Sequence, residues 1–448
     1  VISSAGDIRR AIEMLYHGSD IEERQMRDLL EVENSAEPDE AVAIEERGET
    51  DADGEEAANQ APVIRFVDLL LRQAVKSRAS DIHIEPQADA TAVRLRVDGL
   101  LREVVPPPKK MHAAVAARIK ILAQMNIAER RLPQDGRLRV KTSGREIDVR
   151  VSTLPTIYGE KIVMRVLDAA AVTHDLNRLG IEPTALLELK SMLSRPHGII
   201  IVTGPTGSGK STTLYAALNY LKSPTLNITT VEDPVEYRLA GINQIQIKSE
   251  IGLDFARCLR AILRQDPDIV LIGEIRDKET VEIAIKAALT GHLVLSTFHT
   301  NDAPSTISRL THMGVERYLL SSTLNLIVAQ RLVRRICDTC KEPVQLTEDT
   351  LRRLRVDRER AAGAVFYRGK GCPACGQTGY HGRLPIFEFL AVDEDIAERI
   401  ISGQSETEIR RAARGKGYGD LLDSGVRAVF QGQTTAEEVI RVASMSEE

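Results

Sequence analysis

The chain has 448 residues, of which 43% are hydrophobic, 28% charged and 4% aromatic, and its formal net charge is −6. This length exceeds what one hydrophobic core usually serves, so we expect two to four domains. The sequence has no run of about 20 apolar residues, no tryptophan and no dense basic run, which argues against a membrane-spanning helix and against nucleic-acid binding.

The first sixty residues predict two segments of different character. Residues 1–30 place apolar side chains at helical spacing, and because the chain starts at Val1 rather than Met, we expect the last helices of a truncated N-terminal domain. Residues 31–61 predict an acidic flexible linker, since Glu31 to Gln60 hold twelve acidic residues, one arginine and no aromatic residue. An acidic tail that docks a basic partner is the alternative.

Residues 62–168 alternate helical and strand periodicity. Helical spacing lies at Phe66–Ser77 and Lys109–Met125, and the pair Asp98-Gly99 is typical of a hairpin turn. Alternating apolar and polar residues predict strands at Asp81–Pro86, Val93–Val97, Arg137–Val140, Glu146–Val151 and Ile162–Leu167. We therefore predict a mixed α/β domain of about one hundred residues.

A second linker and a second domain follow. Residues 169–180 are predicted to be a hinge linker. Residues 181–335 alternate short apolar strands, such as Ile199–Val202 and Ile269–Ile272, with helices. This order is typical of a parallel sheet covered by helices, so the predicted fold class is α/β.

The strongest functional motif is a glycine-rich loop between the strand Ile199–Thr203 and a helix that continues to Leu221. It matches the P-loop pattern G-x-x-x-x-G-K-[ST], in which glycines let backbone N–H groups approach phosphates. Lys210 is expected to neutralise the β- and γ-phosphates, and the Ser211 hydroxyl to hold Mg²⁺. A chance glycine-rich turn is the alternative. The predicted ATP-binding residues are Gly204, Pro205, Thr206, Gly207, Ser208, Gly209, Lys210, Ser211 and Thr212.

An acidic residue follows the apolar strand Ile269–Ile272. A standard Walker B motif places Asp directly after such a strand, where it holds Mg²⁺, but here Gly273 takes that place and Glu274 comes next. We predict that Glu274 activates the attacking water, with a smaller share in holding Mg²⁺. An exposed strand-end acid without a catalytic role is the alternative.

Other polar residues flank strands of the same domain. Ligands of open α/β sheets bind at the edge where the strands end, so residues there are candidates for the site. A lone histidine is usually structural or solvated, but one that follows a strand can sense the γ-phosphate. The candidates are Glu232, Asp233 and Glu236 after one strand, His299 after the strand Leu293–Phe298, and His292 before it.

Four of the five cysteines form two C-x-x-C pairs. Paired turns of this kind present four thiolates in tetrahedral geometry, so Cys337, Cys340, Cys372 and Cys375 are predicted to bind a structural Zn²⁺. The 31 residues between the pairs indicate an inserted subdomain at residues 336–385. A redox pair or free thiols are the alternatives, and Cys258 is expected to be buried in a helix. Residues 386–448 predict short helices, with capping boxes at Ser405–Glu408 and Thr434–Glu437.

Several motifs now coincide in order along the chain. They are DIHIEP at 81–86, LPQDGR at 132–137, the P-loop, VEDPVEY at 231–237, GEIRD at 273–277 and TGHLVLSTFHTND at 290–302. From about Pro62 onwards the chain closely resembles the type II secretion and type IV pilus family of assembly ATPases, in which Gly273 is typical. By this resemblance Glu232, Glu236, Glu274, His292 and His299 are active-site residues. Arg137, Arg150 and Arg165 are expected to face the nucleotide, since a guanidinium stabilises charge on a transferring phosphoryl group.

The resemblance also implies architecture and partners. It implies a RecA-like P-loop ATPase domain and an N-terminal α/β (N2-like) domain that moves against it. It further implies a homohexamer that is cytoplasmic, works through an inner-membrane platform protein and reaches the membrane only indirectly. The segments Gly241–Gln244 and Thr300–Ser305 favour pilus extension, and type II secretion is the alternative. Retraction motors usually lack the paired cysteines. A nucleic-acid translocase, a P-loop kinase and a ring that binds ATP without turnover are weaker alternatives.

Overall fold

The computed structural model describes Met26 and residues 58–142, 145–167 and 175–443. The helices predicted within residues 1–30 are, apart from Met26, outside the described residues, as are residues 31–57 of the predicted acidic linker and residues 169–174 of the predicted hinge. The chain divides into two compact units, Val1–Ala171 with Gly371–Thr378, and Val172–Lys370 with Gly379–Glu448. The domain boundaries given above stay predictions.

The first unit contains an antiparallel sheet with strand order β3-β2-β1-β6-β5-β4. Its helices are α1 (Ala61–Lys76) and α2 (His112–Leu122). Its strands are β1 (Asp81–Pro86), β2 (Thr91–Val97), β3 (Leu100–Val104), β4 (Gln134–Thr142), β5 (Arg145–Thr156) and β6 (Gly159–Leu167). The predicted hairpin turn is confirmed: Asp98 and Gly99 have φ of 49° and 86°, the left-handed pair that matches the twist of the strands.

The period-two pattern of these strands separates a buried face from a charged face. On β1, Ile82 and Ile84 point into the core, where the apolar stripe of α1 joins them, while Asp81 and Glu85 point to the other side. The same alternation holds along β2, in which every second residue is buried. One face of the sheet is therefore left free to carry charged side chains.

The second unit contains a larger sheet with strand order β15-β12-β7-β11-β10-β8-β9. Its strands are β7 (Gly198–Thr203), β8 (Ile228–Glu232), β9 (Asn243–Gln246), β10 (Ile269–Ile272), β11 (Leu293–Phe298), β12 (Leu324–Ile336) and β15 (Tyr380–Ala391). Two further strands, β13 (Lys341–Val344) and β14 (Phe366–Gly369), form a separate antiparallel pair. Neighbours are parallel except β15, which is antiparallel to β12. Along β7 successive side chains enter two core clusters on opposite faces, so both faces are covered.

The helices of the second unit are introduced here in chain order. They are α3 (Pro183–Leu193), α4 (Lys210–Leu221), α5 (Phe255–Ile262), α6 (Lys278–Leu289), α7 (Ala303–His312), α8 (Arg317–Thr323), α9 (Glu348–Arg353), α10 (Arg358–Ala361), α11 (Glu394–Ile401), α12 (Glu406–Gly415), α13 (Leu421–Phe430) and α14 (Ala436–Ala443). Cys258 is buried in α5, as predicted. Within the described part of the chain, every helix is too short or too polar to cross a membrane.

Two predictions about the C-terminal region need correction. Residues 386–391 were expected to start the helices, but they complete β15 and extend the parallel sheet by one antiparallel strand. A short apolar run of this kind fits a strand or a helix equally well. The capping box at Ser405–Glu408 is confirmed. The one at Thr434–Glu437 is wrong, because Thr435 accepts the cap bond, from the Glu438 N–H at 3.2 Å.

Candidate functional site

The glycine-rich loop turns from β7 into α4 in a way that only glycine permits. Gly204 has φ of 146°, and a Cβ there would lie 2.5 Å from the carbonyl oxygen of Gln330 on β12. Gly209 has φ of 91°, and a Cβ would lie 2.8 Å from the Gln330 side chain. The Gln330 amide also accepts a hydrogen bond of 2.7 Å from the Thr213 hydroxyl. Gln330 thus packs against the glycine-rich loop and helps to fix its position. No motif in the sequence around Gln330 indicates this role.

Lys210 is folded back over its own loop. Its ammonium group donates to the carbonyl oxygens of Gly204 at 2.7 Å and Pro205 at 3.0 Å. The pKa of Lys210 is lowered to about 8. Burial is the largest cause; the charge of Glu274 raises the pKa, and the charge of Arg331 lowers it. The Ser208 hydroxyl is buried and has no hydrogen-bond partner among the described residues. An ammonium group that pairs with no carboxylate of the described residues, next to a hydroxyl without a partner, fits a phosphate group.

Glu274 and His299 meet at the edge of the sheet where the parallel strands end, the carboxyl edge. Because β10 and β11 pair with Ile272 opposite Ser296, the residues that follow both strands lie side by side. His299 Nε2 is 3.4 Å from Glu274 Oε2, and Arg276 forms an ion pair with the same carboxylate. Burial and the charge of Lys210 lower the pKa of His299, while Glu274 raises it. The structure thus brings together Lys210, Glu274 and His299.

The glycine before Glu274 has a packing reason. A Cβ on Gly273 would lie 3.1 Å from Glu232 Cα and 3.2 Å from the Val231 carbonyl oxygen, so β8 approaches this point closely. The Gly273 N–H donates to Val231 O at 2.7 Å. An aspartate in this place would force the neighbouring strand to move, and the carboxylate is supplied one residue later instead.

Glu232 is held differently from Glu274. It is 4% exposed and accepts hydrogen bonds from the hydroxyls of Tyr215 and Thr230, the latter at 2.6 Å, and from the Gln244 amide at 3.2 Å. Burial and the neighbouring Glu232 charge raise the pKa of Tyr215. Glu232 therefore ties β8 to the helix of the P-loop. Glu236 joins the same group through its N–H, which donates to the Tyr215 hydroxyl at 3.3 Å.

His292 does not join the cluster at the carboxyl edge. It precedes β11, whereas His299 follows it, so the six residues of the strand separate them by about 20 Å at roughly 3.3 Å per residue. His292 Nδ1 lies 2.9 Å from Ala287 O and 3.1 Å from the Thr290 hydroxyl, at the end of α6. The two histidines therefore lie at opposite edges of the sheet, and the role of His292 as an active-site residue stays a prediction.

The three predicted arginines form a row across the charged face of the first unit. Arg137 pairs with Arg150 across β4 and β5, and Arg150 pairs with Arg165 across β5 and β6. The next position along the row is Asp81, which accepts from Arg165 Nε at 3.2 Å. Like charges directly opposite each other are unfavourable, so this row is suited to a polyanion.

The four cysteines of the paired motifs converge. Their sulfur atoms all lie within 4.8 Å of one another, and Cys372 Sγ is 3.7 Å from Cys375 Sγ. In a tetrahedron with Zn–S bonds of about 2.3 Å the sulfurs are about 3.8 Å apart. The donor set and its spacing therefore fit Zn²⁺. Four protein ligands leave no open position, so such a site is structural.

Comparison with known proteins gives consistent matches over most of the chain. Residues 56–441 match the family described as Type II/IV secretion system protein. The type IV pilus assembly ATPase PilB of Myxococcus xanthus is 47% identical over 446 residues, covering 98% of this chain and 77% of that protein. The type II secretion system protein HxcR of Pseudomonas aeruginosa is 53% identical over 382 residues, covering 85% of this chain and 77% of that protein.

A solved structure shows the same fold. The crystal structure of the pilus retraction motor PilT with bound ADP has a TM-score of 0.56 and 25% identity to this chain, covering 84% of this chain and 96% of that one. The α/β P-loop ATPase fold predicted from the sequence is confirmed by this similarity and by the sheet order described above.

Proposed function

The chain belongs to the Type II/IV secretion system protein family and is an ATPase of the secretion and pilus type, as its motifs predicted, and from this premise we propose that it is the motor that extends a type IV pilus. The convergence of Lys210, Glu274 and His299 beside the P-loop carries the part of the proposal that concerns ATP hydrolysis. These groups supply phosphate binding, activation of water and sensing of the γ-phosphate at one edge of the sheet.

The proposed reaction is hydrolysis of ATP. The phosphates enter the glycine-rich loop, and Lys210 exchanges the carbonyl oxygens of Gly204 and Pro205 for phosphate oxygens. Ser211 would hold Mg²⁺, which when bound neutralises phosphate charge. Glu274 orients the attacking water and accepts its proton, and His299, beside Glu274, donates toward the γ-phosphate.

Motion is proposed to come from the first unit. Arg137, Arg150 and Arg165 would close onto the phosphates bound by the P-loop of the same chain, with residues 169–180 as the hinge. Release after hydrolysis would reopen the two units. In a homohexamer each moving unit would then push on a neighbouring subunit, which converts the chemical step into work.

Pilus extension is the finer proposal and type II secretion is the second candidate. The segments Gly241–Gln244 and Thr300–Ser305 and the 47% identity to the Myxococcus PilB support the first. The 53% identity to HxcR supports the second. In either case we propose a cytoplasmic hexamer that acts through a platform protein of the inner membrane.

Complementation tests the choice between the two. The wild-type gene and a Lys210→Ala version would be expressed in strains of the source organism that lack pilus extension or secretion. We expect the wild-type gene alone to restore surface pili, counted by electron microscopy, and to leave the secretion defect unchanged. Restored secretion without pili would reverse the assignment.

The cysteine cluster is proposed to hold one structural Zn²⁺ per chain. Metal analysis of freshly purified protein should find close to one zinc per chain, and Cys372→Ser should release it, since ligand loss removes metal affinity directly. Cys258→Ser, at a buried cysteine outside the cluster, is the matched control and should keep the metal. Freely titratable thiols at all four positions in zinc-free wild-type protein would contradict this proposal.

A further inference from the structure

A cavity of about 360 Å³ lies within the second unit, away from the P-loop. It is lined by side chains from α9, from α12 and from the start of α13, and by Asp302, the residue that caps α7. Its size falls within the range of small-molecule sites. Neither the proposed hydrolysis nor the cysteine cluster uses this cavity.

Basic residues dominate the lining. The arginines are Arg352, Arg353, Arg355, Arg410 and Arg414. Asp420 Oδ2 accepts hydrogen bonds from both Arg355 and Arg414, while its Oδ1 caps α13 at 2.9 Å. Arg414 also lies 3.6 Å from Asp423, which is outside the lining. Arg410 pairs with Asp302 at 2.5 Å.

The third carboxyl group of the lining adds little negative charge. Glu388 on β15 is 5% exposed, and the hydrogen bond that it accepts from the Ala303 N–H is long at 3.4 Å. Burial, with the charge of Asp302, raises the pKa of Glu388 to about 8. The carboxyl group is thus largely protonated at neutral pH. With Asp423 and with Asp349, which pairs with Arg352 at 2.5 Å from outside the lining, five arginines face four carboxylates, and the remaining positive charge favours an anionic ligand.

We propose that this cavity binds a small organic anion that carries at least two phosphate groups. The planar guanidinium fork matches phosphate oxygens in pairs. Arg353 forms no ion pair with the described residues, and Arg352 pairs with the exposed Asp349, which a phosphate group can replace. Leu421, Leu422 and Ile440 form an apolar wall for the rest of the ligand. The volume of about 360 Å³ suits a small molecule better than an acidic peptide segment.

The cavity is connected to the carboxyl edge by a short path. Asp302 accepts from Arg410 on the cavity side and from the Ser305 N–H at 2.8 Å, and it lies three residues after His299. Arg331 donates to the Asn301 carbonyl oxygen at 3.0 Å, and Thr300 bonds Thr203 at 2.7 Å. A ligand that draws Arg410 away from Asp302 would loosen the segment that carries His299.

Binding of inorganic pyrophosphate tests the proposal without relying on turnover or on the motor function. The titration uses the full chain with Lys210→Ala, and again with Lys210→Gln, so that the P-loop contributes little to binding. Calorimetry should find one pyrophosphate per chain. Adding Arg352→Gln and Arg353→Gln together should weaken binding about tenfold or more, because two charge-assisted contacts are lost.

The matched control adds Arg358→Gln and Arg368→Gln, two exposed arginines of the same region that pair with Glu348 and Glu342 and do not line the cavity. The control should change the affinity less than twofold. Equal weakening in both double variants, or no binding in either P-loop background, would overturn the proposal. Tighter binding of a ten-residue Asp/Glu peptide than of pyrophosphate would overturn it in favour of an acidic segment.

Hydrogen exchange tests the connection. Pyrophosphate should change the exchange rate of the peptide that covers residues 300–306 at least twofold in the Lys210→Ala chain, and not in the chain that also carries Arg352→Gln and Arg353→Gln. Binding with unchanged exchange in that peptide would refute the path through Asp302.

Discussion

The carboxyl edge of the second unit and the arginine row of the first unit gather charged residues in two different ways. In the parallel sheet the strands end at one edge, so residues that follow β7, β10 and β11 meet there. In the antiparallel sheet the register aligns Arg137, Arg150 and Arg165 across the face. Strand direction thus decides whether distant residues converge at an edge or across a face.

The two regions also differ in how their charges are compensated. At the carboxyl edge Glu274 has basic neighbours in Arg276 and His299. Elsewhere on the charged face of the first unit, carboxylates stand opposite cations, as Asp148 does opposite Arg139 at 3.0 Å. Both cross-strand neighbours of Arg150 are arginines. The register thus places three guanidinium groups side by side at this part of the sheet.

The largest effect on turnover outside the carboxyl edge is expected from Arg150→Ala. If the row stabilises the transferring phosphoryl group, kcat should fall about 10³-fold while ATP affinity changes little. Arg139→Ala is the matched control, since Arg139 lies on the same face and pairs with Asp148. Steady-state kinetics of both variants measure the difference. Equal activities of Arg150→Ala and Arg139→Ala would show that the arginine row has no specific role in catalysis.

Mixed hexamers extend this test to the closure within one chain. Lys210→Ala and Arg150→Ala chains would be mixed, with subunit exchange verified. If the arginines serve the nucleotide of their own chain, every site stays defective. Substantial recovery of ATP hydrolysis would show that they act on a neighbouring subunit instead.

A tenfold effect on ATP affinity is expected from the titration of Lys210 between pH 7 and pH 9. Its pKa of about 8 in the free enzyme means that one eleventh of the side chains remain charged at pH 9. ATP affinity should therefore fall about tenfold between pH 7 and pH 9, since binding then requires uptake of a proton. Lys210→Arg keeps its charge and should flatten the profile. Fluorescence titration measures ATP affinity against pH for the wild type and for Lys210→Arg. Parallel pH profiles of the two proteins would contradict the lowered pKa.

The same shift has a consequence for stability. Between pH 8 and the ordinary lysine pKa of about 10.4, the unfolded chain holds a proton at this position that the folded chain has lost. The contribution of Lys210 to the free energy of unfolding therefore rises with pH across this window. Below pH 8 its burial costs stability, which a bound phosphate would offset.

The smallest effect is expected from Tyr215→Phe, which removes a hydrogen bond to the buried carboxylate of Glu232. The free energy of unfolding should fall by about 1.5–3 kcal/mol, the range for hydrogen bonds to charged groups. Tyr220→Phe, on the exposed side of the same helix, should change it by less than about 0.5 kcal/mol. Urea denaturation compares the two, and equal losses would show that Glu232 does not depend on Tyr215.

The comparison also explains how far the sequence could be interpreted. The P-loop and Glu274 were visible because their pattern is local, and the strands of both units followed from apolar periodicity. Gln330, Arg331 and Tyr215 were missed, since each acts through a partner distant in sequence. The sequence placed His292 before β11 and His299 after it, and the structure shows that only His299 lies beside Glu274.

The alignment of the three arginines was likewise beyond the sequence. Arg137 and Arg150 are thirteen positions apart, and their pairing depends on the register of β4 against β5. Register is set by the buried face and the turn together, so a one-residue shift would have moved each arginine into the core. Residues 386–391, the second half of β15, were predicted to be helical because their apolar run has no clear period.

The central claim is that the carboxyl edge performs hydrolysis, with Glu274 activating the water. Single-turnover measurement of ATP hydrolysis by Glu274→Gln tests it most directly, with Glu282→Gln on the exposed face of α6 as the control. We predict unchanged ATP affinity, a rate of the chemical step lower by about 10² or more, and a control that matches the wild type. A near-normal rate of hydrolysis in Glu274→Gln would contradict the assignment.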